Sequence, residues 1–160
     1  MTEPRRARVF VDADACPVKD EVYRVAGRYR SEVFVVSNRM IHLPASPLLH
    51  RVVVEAGADV ADDWIAERAA GGDLVVTADI PLAARCVHAG AEVLHPAGRR
   101  FDDDSIGMSL ATRDLMDSLR STGAMTGGGP PPFSARDRSA FLNAMDAAVQ
   151  RLRRAGFVAG

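Results

Sequence analysis

Short runs of β-branched and aromatic residues recur along the first 94 residues, and helical patterns separate most of them. The runs predict strands at residues 8–12, 32–37, 51–55, 73–77 and 92–94. Apolar residues at helical spacing predict helices at 17–29, 60–70, 81–88, 105–121 and 134–154. Strands that alternate with helices are typical of right-handed β-α-β units. The pattern therefore predicts an α/β fold with a mainly parallel sheet of about five strands, followed by C-terminal helices.

Two stretches depart from this regular alternation. No helix separates the second and third predicted strands, so we expect the third strand at an edge of the sheet. Residues 123–133, G-A-M-T-G-G-G-P-P-P-F, are too rich in Gly and Pro for regular structure and predict a lid or linker. A length of 160 residues suits one domain, 1–160, with a core at about 8–94 and a helical extension at about 105–154.

Composition and charge narrow the class of protein. Twenty Lys and Arg against 21 Asp and Glu give a net charge of −1, so the chain as a whole does not attract nucleic acid. No apolar stretch has the length of a membrane span or the form of a secretory signal. The two cysteines, Cys16 and Cys86, make neither a disulfide framework nor a zinc set, and we expect both to be packing residues. We expect a cytoplasmic protein with no membrane partner.

Acidic residues follow two of the predicted strands. Asp12 and Asp14 come at the end of the first strand, and Asp79 comes just after the fourth. The carboxyl ends of parallel strands lie at one edge of the sheet, where open α/β folds bind their ligands. Carboxylates held close together are costly unless a cation lies between them. Oxygen ligands suit Mg²⁺ or Mn²⁺, so these acids predict a divalent-metal site.

Three more acids, Asp59, Asp62 and Asp63, lie at the start of the helix predicted at 60–70. Positions three and four apart share a helix face, so Asp62 or Asp63 can lie beside Asp59. A local explanation also accounts for acids of this kind. Asp caps helices and is favoured at their N-terminal ends by the helix dipole, so Asp14, Asp59 and Asp79 could serve only as caps. The residues alone leave both interpretations open.

Several cationic or amide side chains are candidates for contact with a substrate. Asn38 and Arg39 end the second strand and point to the same sheet edge as the acids, and Lys19 lies within one turn of them. Arg113 and Arg138 lie in the C-terminal helices, and arginine is well shaped to bind phosphate. The alternative for each is a plain turn or a surface pair with a nearby carboxylate.

The order of the acids resembles the pattern of PIN-domain nucleases. The stretches that carry the resemblance are D-V-A-D-D-W-I-A-E-R-A at 59–69 and L-V-V-T-A-D at 74–79. The resemblance covers about residues 8–94 and implies a three-layer α/β/α fold. It also implies catalytic roles for Asp12 and Asp79, with Asp62 or Asp63 as a further metal ligand.

This sequence departs from the PIN nuclease pattern at one place. Many members carry a further acid just after the acid that follows strand four, where this chain has I-P-L at 80–82. Asp14 would have to supply that carboxylate from the other side. Without it, the site would bind a metal but cut poorly.

The whole chain resembles the YaiI/YqxD family of uncharacterised bacterial proteins, which is itself PIN-like. The matching stretches are V-D-A-D-A-C-P-V-K (11–19), G-A-D-V-A-D-D-W-I (57–65), V-V-T-A-D-I-P-L-A-A-R (75–85), T-G-G-G-P-P-P-F (126–133) and D-R-S-A-F-L (137–142). That family implies a fold rather than an activity, because fold does not fix function.

Three functions are compatible with these patterns. The leading hypothesis is a hydrolase of phosphodiesters that uses Mg²⁺ or Mn²⁺ and acts on RNA, where the preference for RNA over DNA follows from the resemblance alone. A second is phosphotransfer through an aspartyl nucleophile, because V-D-A-D resembles the D-x-D of haloacid-dehalogenase-like phosphatases. A third is a metal-stabilised module that binds RNA or protein without catalysis. The sequence indicates neither the substrate's sequence nor the oligomeric state.

Overall fold

Six strands and five α-helices make up the described part of the chain, which in this computed structural model covers residues 7–57, 59–121 and 133–157. The strands are β1 (Arg8–Asp12), β2 (Glu32–Ser37), β3 (Leu49–Val53), β4 (Leu74–Val76), β5 (Glu92–Leu94) and β6 (Arg100–Phe101). The helices are α1 (Lys19–Tyr29), α2 (Val60–Arg68), α3 (Ile80–His88), α4 (Asp103–Ser121) and α5 (Ala135–Arg154). None of these helices combines the length and apolar character needed to cross a membrane.

The strands form one sheet in the order β3-β2-β1-β4-β5-β6. All neighbouring pairs are parallel except β5 and β6, which are antiparallel. The chain moves outward from β1 to β2 and β3 and then crosses back to β4, on the other side of β1. Such a reversal of direction opens a crevice at the carboxyl ends of the two central strands, which is where α/β folds of this type bind ligands.

Helices cover both faces of the sheet, which gives three layers. Val9 and Val11 of β1 belong to a core cluster with residues of α1 and α5, whereas Phe10 lies in a second cluster with residues of α2, α3 and α4. The alternation follows from the period of two in a strand. The predicted α/β/α architecture is therefore confirmed.

Some predicted elements differ from the observed ones. Residues 95–104 lie between the last predicted strand and the helix predicted at 105–121, but they contain β6, where Phe101 is buried and Arg100 pairs with Glu92 of the neighbouring strand. A strand of two residues leaves no periodicity to detect. The third strand is an edge strand as predicted, but it begins at Leu49, two residues before the run R-V-V-V-E. Asp59 does not cap α2, because its φ is 68° and its side chain makes no cap hydrogen bond.

Both cysteines are packing residues, as expected. Each is buried, and each lies in one of the two core clusters. Burial raises the pKa of the Cys16 thiol to about 11 and that of the Cys86 thiol to about 12. Both thiols are therefore protonated and unreactive at neutral pH.

Two glycines provide a matched test of how α5 docks on the sheet. Gly98 has a φ of 96°, and a Cβ there would lie 2.9 Å from the carbonyl carbon of Ala140 in α5. Gly27 lies within α1, and a Cβ there would meet nothing within 4 Å. The free energy of unfolding in urea should therefore fall by at least about 1–2 kcal/mol in Gly98→Ala, whereas it should rise by up to about 1 kcal/mol in Gly27→Ala. A Gly98→Ala variant as stable as wild type would contradict the close approach of this turn to α5.

Candidate functional site

Four of the predicted acids lie on elements that meet at the carboxyl edge of the sheet. Asp12 is the last residue of β1, and Asp14 lies in the 3₁₀ turn (Ala13–Ala15) that follows it. Asp79 is the N-cap of α3, directly after β4, and its Oδ1 accepts a hydrogen bond of 2.9 Å from the Leu82 amide. Asp62 lies in the first turn of α2. The predicted cap role of Asp79 is thus confirmed, and that role does not remove it from the acidic edge.

The negative charge of Asp79 acts on both Asp12 and Asp62. Burial raises the pKa of Asp12, and the negative charges of Asp79 and Asp14 raise it further against a hydrogen bond that lowers it. Burial also raises the pKa of Asp62 to about 6, with added contributions from Asp79 and Asp12. Raised carboxyl pKa values of this origin mark a place where negative charge is poorly compensated.

Thr77 connects Asp12 and Asp79. Its hydroxyl donates a hydrogen bond of 3.0 Å to Oδ2 of Asp12 and accepts one of 3.0 Å from the backbone amide of Asp79. Thr77 is fully buried. One hydroxyl group therefore fixes the carboxylate that ends β1 relative to the turn that follows β4.

Ser37 holds Asp14 by similar hydrogen bonds on the other side of β1. Its hydroxyl donates a hydrogen bond of 2.6 Å to Oδ1 of Asp14 and accepts one of 3.0 Å from the Arg39 amide. The Asn38 amide donates to Oδ2 of Asp14 at 3.2 Å, and Arg39 Nε lies 3.7 Å from Oδ1. Asp14 is therefore held by the turn that follows β2, away from the β4 side where Asp79 lies.

Asp63 differs from Asp62 in its partner. Its Oδ1 accepts a hydrogen bond of 2.7 Å from Arg85 of α3, so its charge is paired at the surface. Asp62 makes no hydrogen bond or ion pair with any described residue. The charges of Asp79 and Asp12 contribute to the raised pKa of Asp62.

The predicted substrate contacts are distributed unevenly. Lys19 donates from Nζ to the carbonyls of Ala13 (3.1 Å) and Cys16 (2.8 Å), so it stabilises the 3₁₀ turn. Arg138 joins the starts of α5 and α1 through the carbonyl of residue 17 (2.8 Å) and Glu21 (3.2 Å). Asn38 is exposed at the acidic edge. The Arg113 side chain and most of the Gly-rich segment 123–133 lie outside the described residues.

Sequence reasoning missed the two hydroxyl residues, Ser37 and Thr77. A signal was present, because β2 and β4 lead into V-V-S-N-R and V-V-T-A-D respectively. In both, the hydroxyl residue accepts a hydrogen bond from the amide two residues later and donates one to an acid of the β1 end. Both strands therefore carry the same local signal, a hydroxyl residue two positions before a charged residue.

The donor chemistry suits a hard divalent cation, but the side chains are not arranged as a finished coordination shell. In the ranges 7–57, 59–121 and 133–157, no three His, Cys, Asp or Glu side chains are grouped closely enough to hold one ion. Asp12 accepts a hydrogen bond from Thr77, and Asp79 accepts one from the Leu82 amide as the cap of α3. Asp62 has no hydrogen bond of this kind with the described residues. Binding of an ion by all three would require these side chains to come closer together than they lie in this structure.

A pH dependence of stability follows from the pKa of Asp62. The ordinary carboxyl pKa is 3.8 and the folded value is about 6, so the folded chain holds this proton more tightly than the unfolded chain. The free energy of unfolding therefore falls as pH rises from about 4 to about 6, and the loss persists above that window. Asp62→Asn should be more stable than wild type at pH 7 and equal to it near pH 4, measured by urea unfolding in EDTA. A difference in the free energy of unfolding that stays constant from pH 4 to pH 7 would contradict the raised pKa of Asp62.

The fold and this edge define a three-layer α/β/α protein with acids after the carboxyl ends of β1 and β4, where the strand order reverses. The chain belongs to the YaiI/YqxD family: the family model described as "Uncharacterized BCR, YaiI/YqxD family" matches residues 10–151. A "UPF0178 protein" of Azorhizobium caulinodans is 62% identical over 154 residues, which is 96% of each chain. Another, of Gluconacetobacter diazotrophicus, is 61% identical and covers 92% of this chain and 95% of its own. No solved structure gives a significant match.

Proposed function

We propose that the protein is a PIN-like phosphodiesterase that depends on Mg²⁺ or Mn²⁺ and cleaves RNA. Its metal ligands would be Asp12, Asp62 and Asp79. The observation that carries the proposal is that burial raises the pKa values of Asp12 and Asp62, and that the negative charge of Asp79 raises both further. Asp14 and Asp63 contact arginines instead, so we assign them to the rim of the site.

A divalent cation would offset the repulsion among these carboxylates. Partly buried like charges destabilise one another, and a divalent ion among them would convert that repulsion into attraction. Bound Mg²⁺ or Mn²⁺ supplies the positive charge that stabilises the transition state of phosphodiester hydrolysis and activates water for in-line attack. Carboxylate oxygens are the ligands that these ions prefer.

The chain's own residues would position this chemistry. Thr77 fixes the Asp12 carboxylate through its hydroxyl, and the α3 N-terminus fixes Asp79 through the Leu82 amide. Asp12 ends β1, and Asp79 follows β4, the adjacent parallel strand. Asp62 approaches from α2 and would complete the set when the ion binds. Partners that orient metal ligands in this way commonly matter 10–100-fold for activity or affinity.

The aspartyl-phosphatase alternative is weakened by the surroundings of Lys19. A phosphate bound at Asp12 would need a nearby lysine as its charge partner, and Lys19 is the single lysine of the sequence. Its ammonium group already donates to two backbone carbonyls. A phosphoaspartate trapping experiment distinguishes this reaction from hydrolysis, and we expect no trapped adduct.

A cleavage assay tests the proposed activity. End-labelled single-stranded RNA and DNA of the same sequence are incubated with the protein in Mn²⁺, in Mg²⁺ and in EDTA. We expect cleavage of RNA by wild type in either metal, and none in EDTA or by Asp12→Asn/Asp79→Asn. A folded wild-type protein that cleaves neither strand would contradict the proposal and favour the non-catalytic binding module.

A further inference from the structure

We propose that residues 37–40, the last residue of β2 and the turn that follows it, form a binding site for a backbone phosphate of a single-stranded nucleic acid, to which Arg39 donates hydrogen bonds. Asp14 would be the residue that positions this turn, rather than a metal ligand. The identity of the ligand rests on the proposed function. The location of the site rests on contacts that are independent of any metal.

The turn lies beside the acidic edge. β1 is flanked by β4 on one side and β2 on the other, so the ends of all three strands lie at the same edge of the sheet. Asp12 pairs in register with Val36, the residue before Ser37. A strand of nucleic acid that places one phosphate at Asp12 and Asp79 therefore passes the turn after β2 if it continues along this edge.

Three hydrogen bonds give the turn a defined shape. Asp14 receives the Ser37 hydroxyl at 2.6 Å and the Asn38 amide at 3.2 Å, and the Arg39 amide donates to the Ser37 hydroxyl at 3.0 Å. The side chains that follow project from a turn whose backbone is already ordered. A preformed site of this kind avoids much of the entropic cost of binding.

The guanidinium group of Arg39 can donate hydrogen bonds to a ligand. Its side chain is 71% exposed, and its nearest carboxylate, that of Asp14, lies 3.7 Å from Nε, which is too long for a hydrogen bond. Asp14 accepts its two hydrogen bonds from Ser37 and Asn38, and its ion pair with Arg39 Nε is the longest of its three polar contacts. A guanidinium group presents a planar fork of donors that matches two phosphate oxygens.

Apolar exposure at the same place suits a nucleoside. Among the described residues, the exposed large apolar side chains are Met40 (74%), Val53 (49%) and Met108. Val53 pairs in register with Ser37, and Met40 follows Arg39 directly. Two of the three therefore adjoin this turn. An arginine beside exposed apolar groups can contact a phosphate and the adjoining ribose or base without selecting a sequence.

Binding of labelled strands in EDTA tests this site without any catalysis. The probes are 5′-fluorescein single-stranded RNA and DNA of equal sequence, and the readout is fluorescence anisotropy over a range of salt concentrations. Arg39→Ala should weaken binding about tenfold and reduce the slope of log K against log salt by about 0.7, as expected for the loss of one phosphate contact. Arg154→Ala is the matched control, an exposed arginine in the last turn of α5, and it should change affinity less than twofold.

The same titrations, run with RNA and with DNA, show whether the site contacts the phosphate backbone alone or also the ribose. Equal loss for RNA and DNA identifies the backbone alone as the ligand, and a loss confined to RNA adds a contact to ribose. An Arg39→Ala variant that binds like wild type, or like Arg154→Ala, would overturn the proposal. A wild-type protein that binds neither strand would also overturn it.

Manganese titration separates this inference from the proposed function. Asp14→Asn should still bind Mn²⁺ saturably and should weaken RNA binding in EDTA, because a neutral side chain accepts the hydrogen bonds from Ser37 and Asn38 less strongly. Loss of Mn²⁺ binding in Asp14→Asn would overturn the positioning role. Absence of Mn²⁺ binding in wild type, with the Arg39 effect intact, would instead contradict the catalytic proposal and leave the phosphate site standing.

Discussion

Replacing Asp12 with Asn is expected to abolish metal-dependent cleavage and to raise the melting temperature of the metal-free protein. Burial and the charges of Asp79 and Asp14 disfavour the ionised Asp12 in the fold, so a neutral side chain of the same shape relieves a cost. The Asn carbonyl can still accept the hydrogen bond from Thr77. Loss of a direct metal ligand should lower the cleavage rate by more than about 100-fold, the upper end of the range for outer-shell partners. Initial rates in Mn²⁺ and thermal melting in EDTA measure the two effects.

A substitution that lowers activity but raises stability distinguishes a functional acid from a structural one. Asp103→Asn is a suitable control, because Asp103 is an exposed acid in the first turn of α4. It should leave the rate unchanged and should lower stability slightly, since an acid favours a helix N-terminus. Cleavage by Asp12→Asn within a few-fold of wild type would remove Asp12 from the chemistry.

Truncating Phe141 is expected to have the largest effect on stability. Its side chain is fully buried in the cluster that α5 forms with α1 and β1. A Phe→Ala change at such a position costs about 3–5 kcal/mol, because transfer energy is lost and a cavity remains. Asn143→Ala, at an exposed position of the same helix, should stay within about 0.5 kcal/mol of wild type. Urea unfolding followed by fluorescence and by circular dichroism measures both.

The shape of that transition tests whether residues 1–160 form a single domain. If α5 belongs to the same cooperative unit as the sheet, Phe141→Ala shifts one transition to lower urea, and the two probes coincide. A second transition at low urea, seen by circular dichroism alone, would mean that α5 unfolds independently. That result would contradict the single-domain prediction.

The parts of the fold predicted well are those that periodicity determines locally. β1, β2 and β5 have the predicted bounds, because runs of β-branched residues with polar ends have few alternatives as strands. Ser134 and Asp137 form a capping box at the start of α5, which is another local feature. β3 and β6 depend instead on pairing with a neighbour, which is a tertiary effect that short runs do not encode.

The candidate site was predictable to the level of elements, not of side-chain partners. Strand ends placed Asp12 and Asp79 at one edge, because parallel strands share a direction. The choice between Asp62 and Asp63 was not readable from the sequence, since both lie in the first turn of α2. Their difference comes from Arg85, which lies 22 residues further along the chain and reaches Asp63 alone.

Calorimetric titration of Mn²⁺ into the metal-free protein tests the central claim most directly, on wild type and on Asp12→Asn/Asp79→Asn at pH 7.5. At this pH Asp62, with a pKa of about 6, is ionised and available to a cation. We predict saturable binding to wild type, and none to a double variant that melts no lower than wild type. A folded wild-type protein that takes up no Mn²⁺, or a double variant that binds it equally well, would contradict a metal site at the carboxyl edge of this sheet.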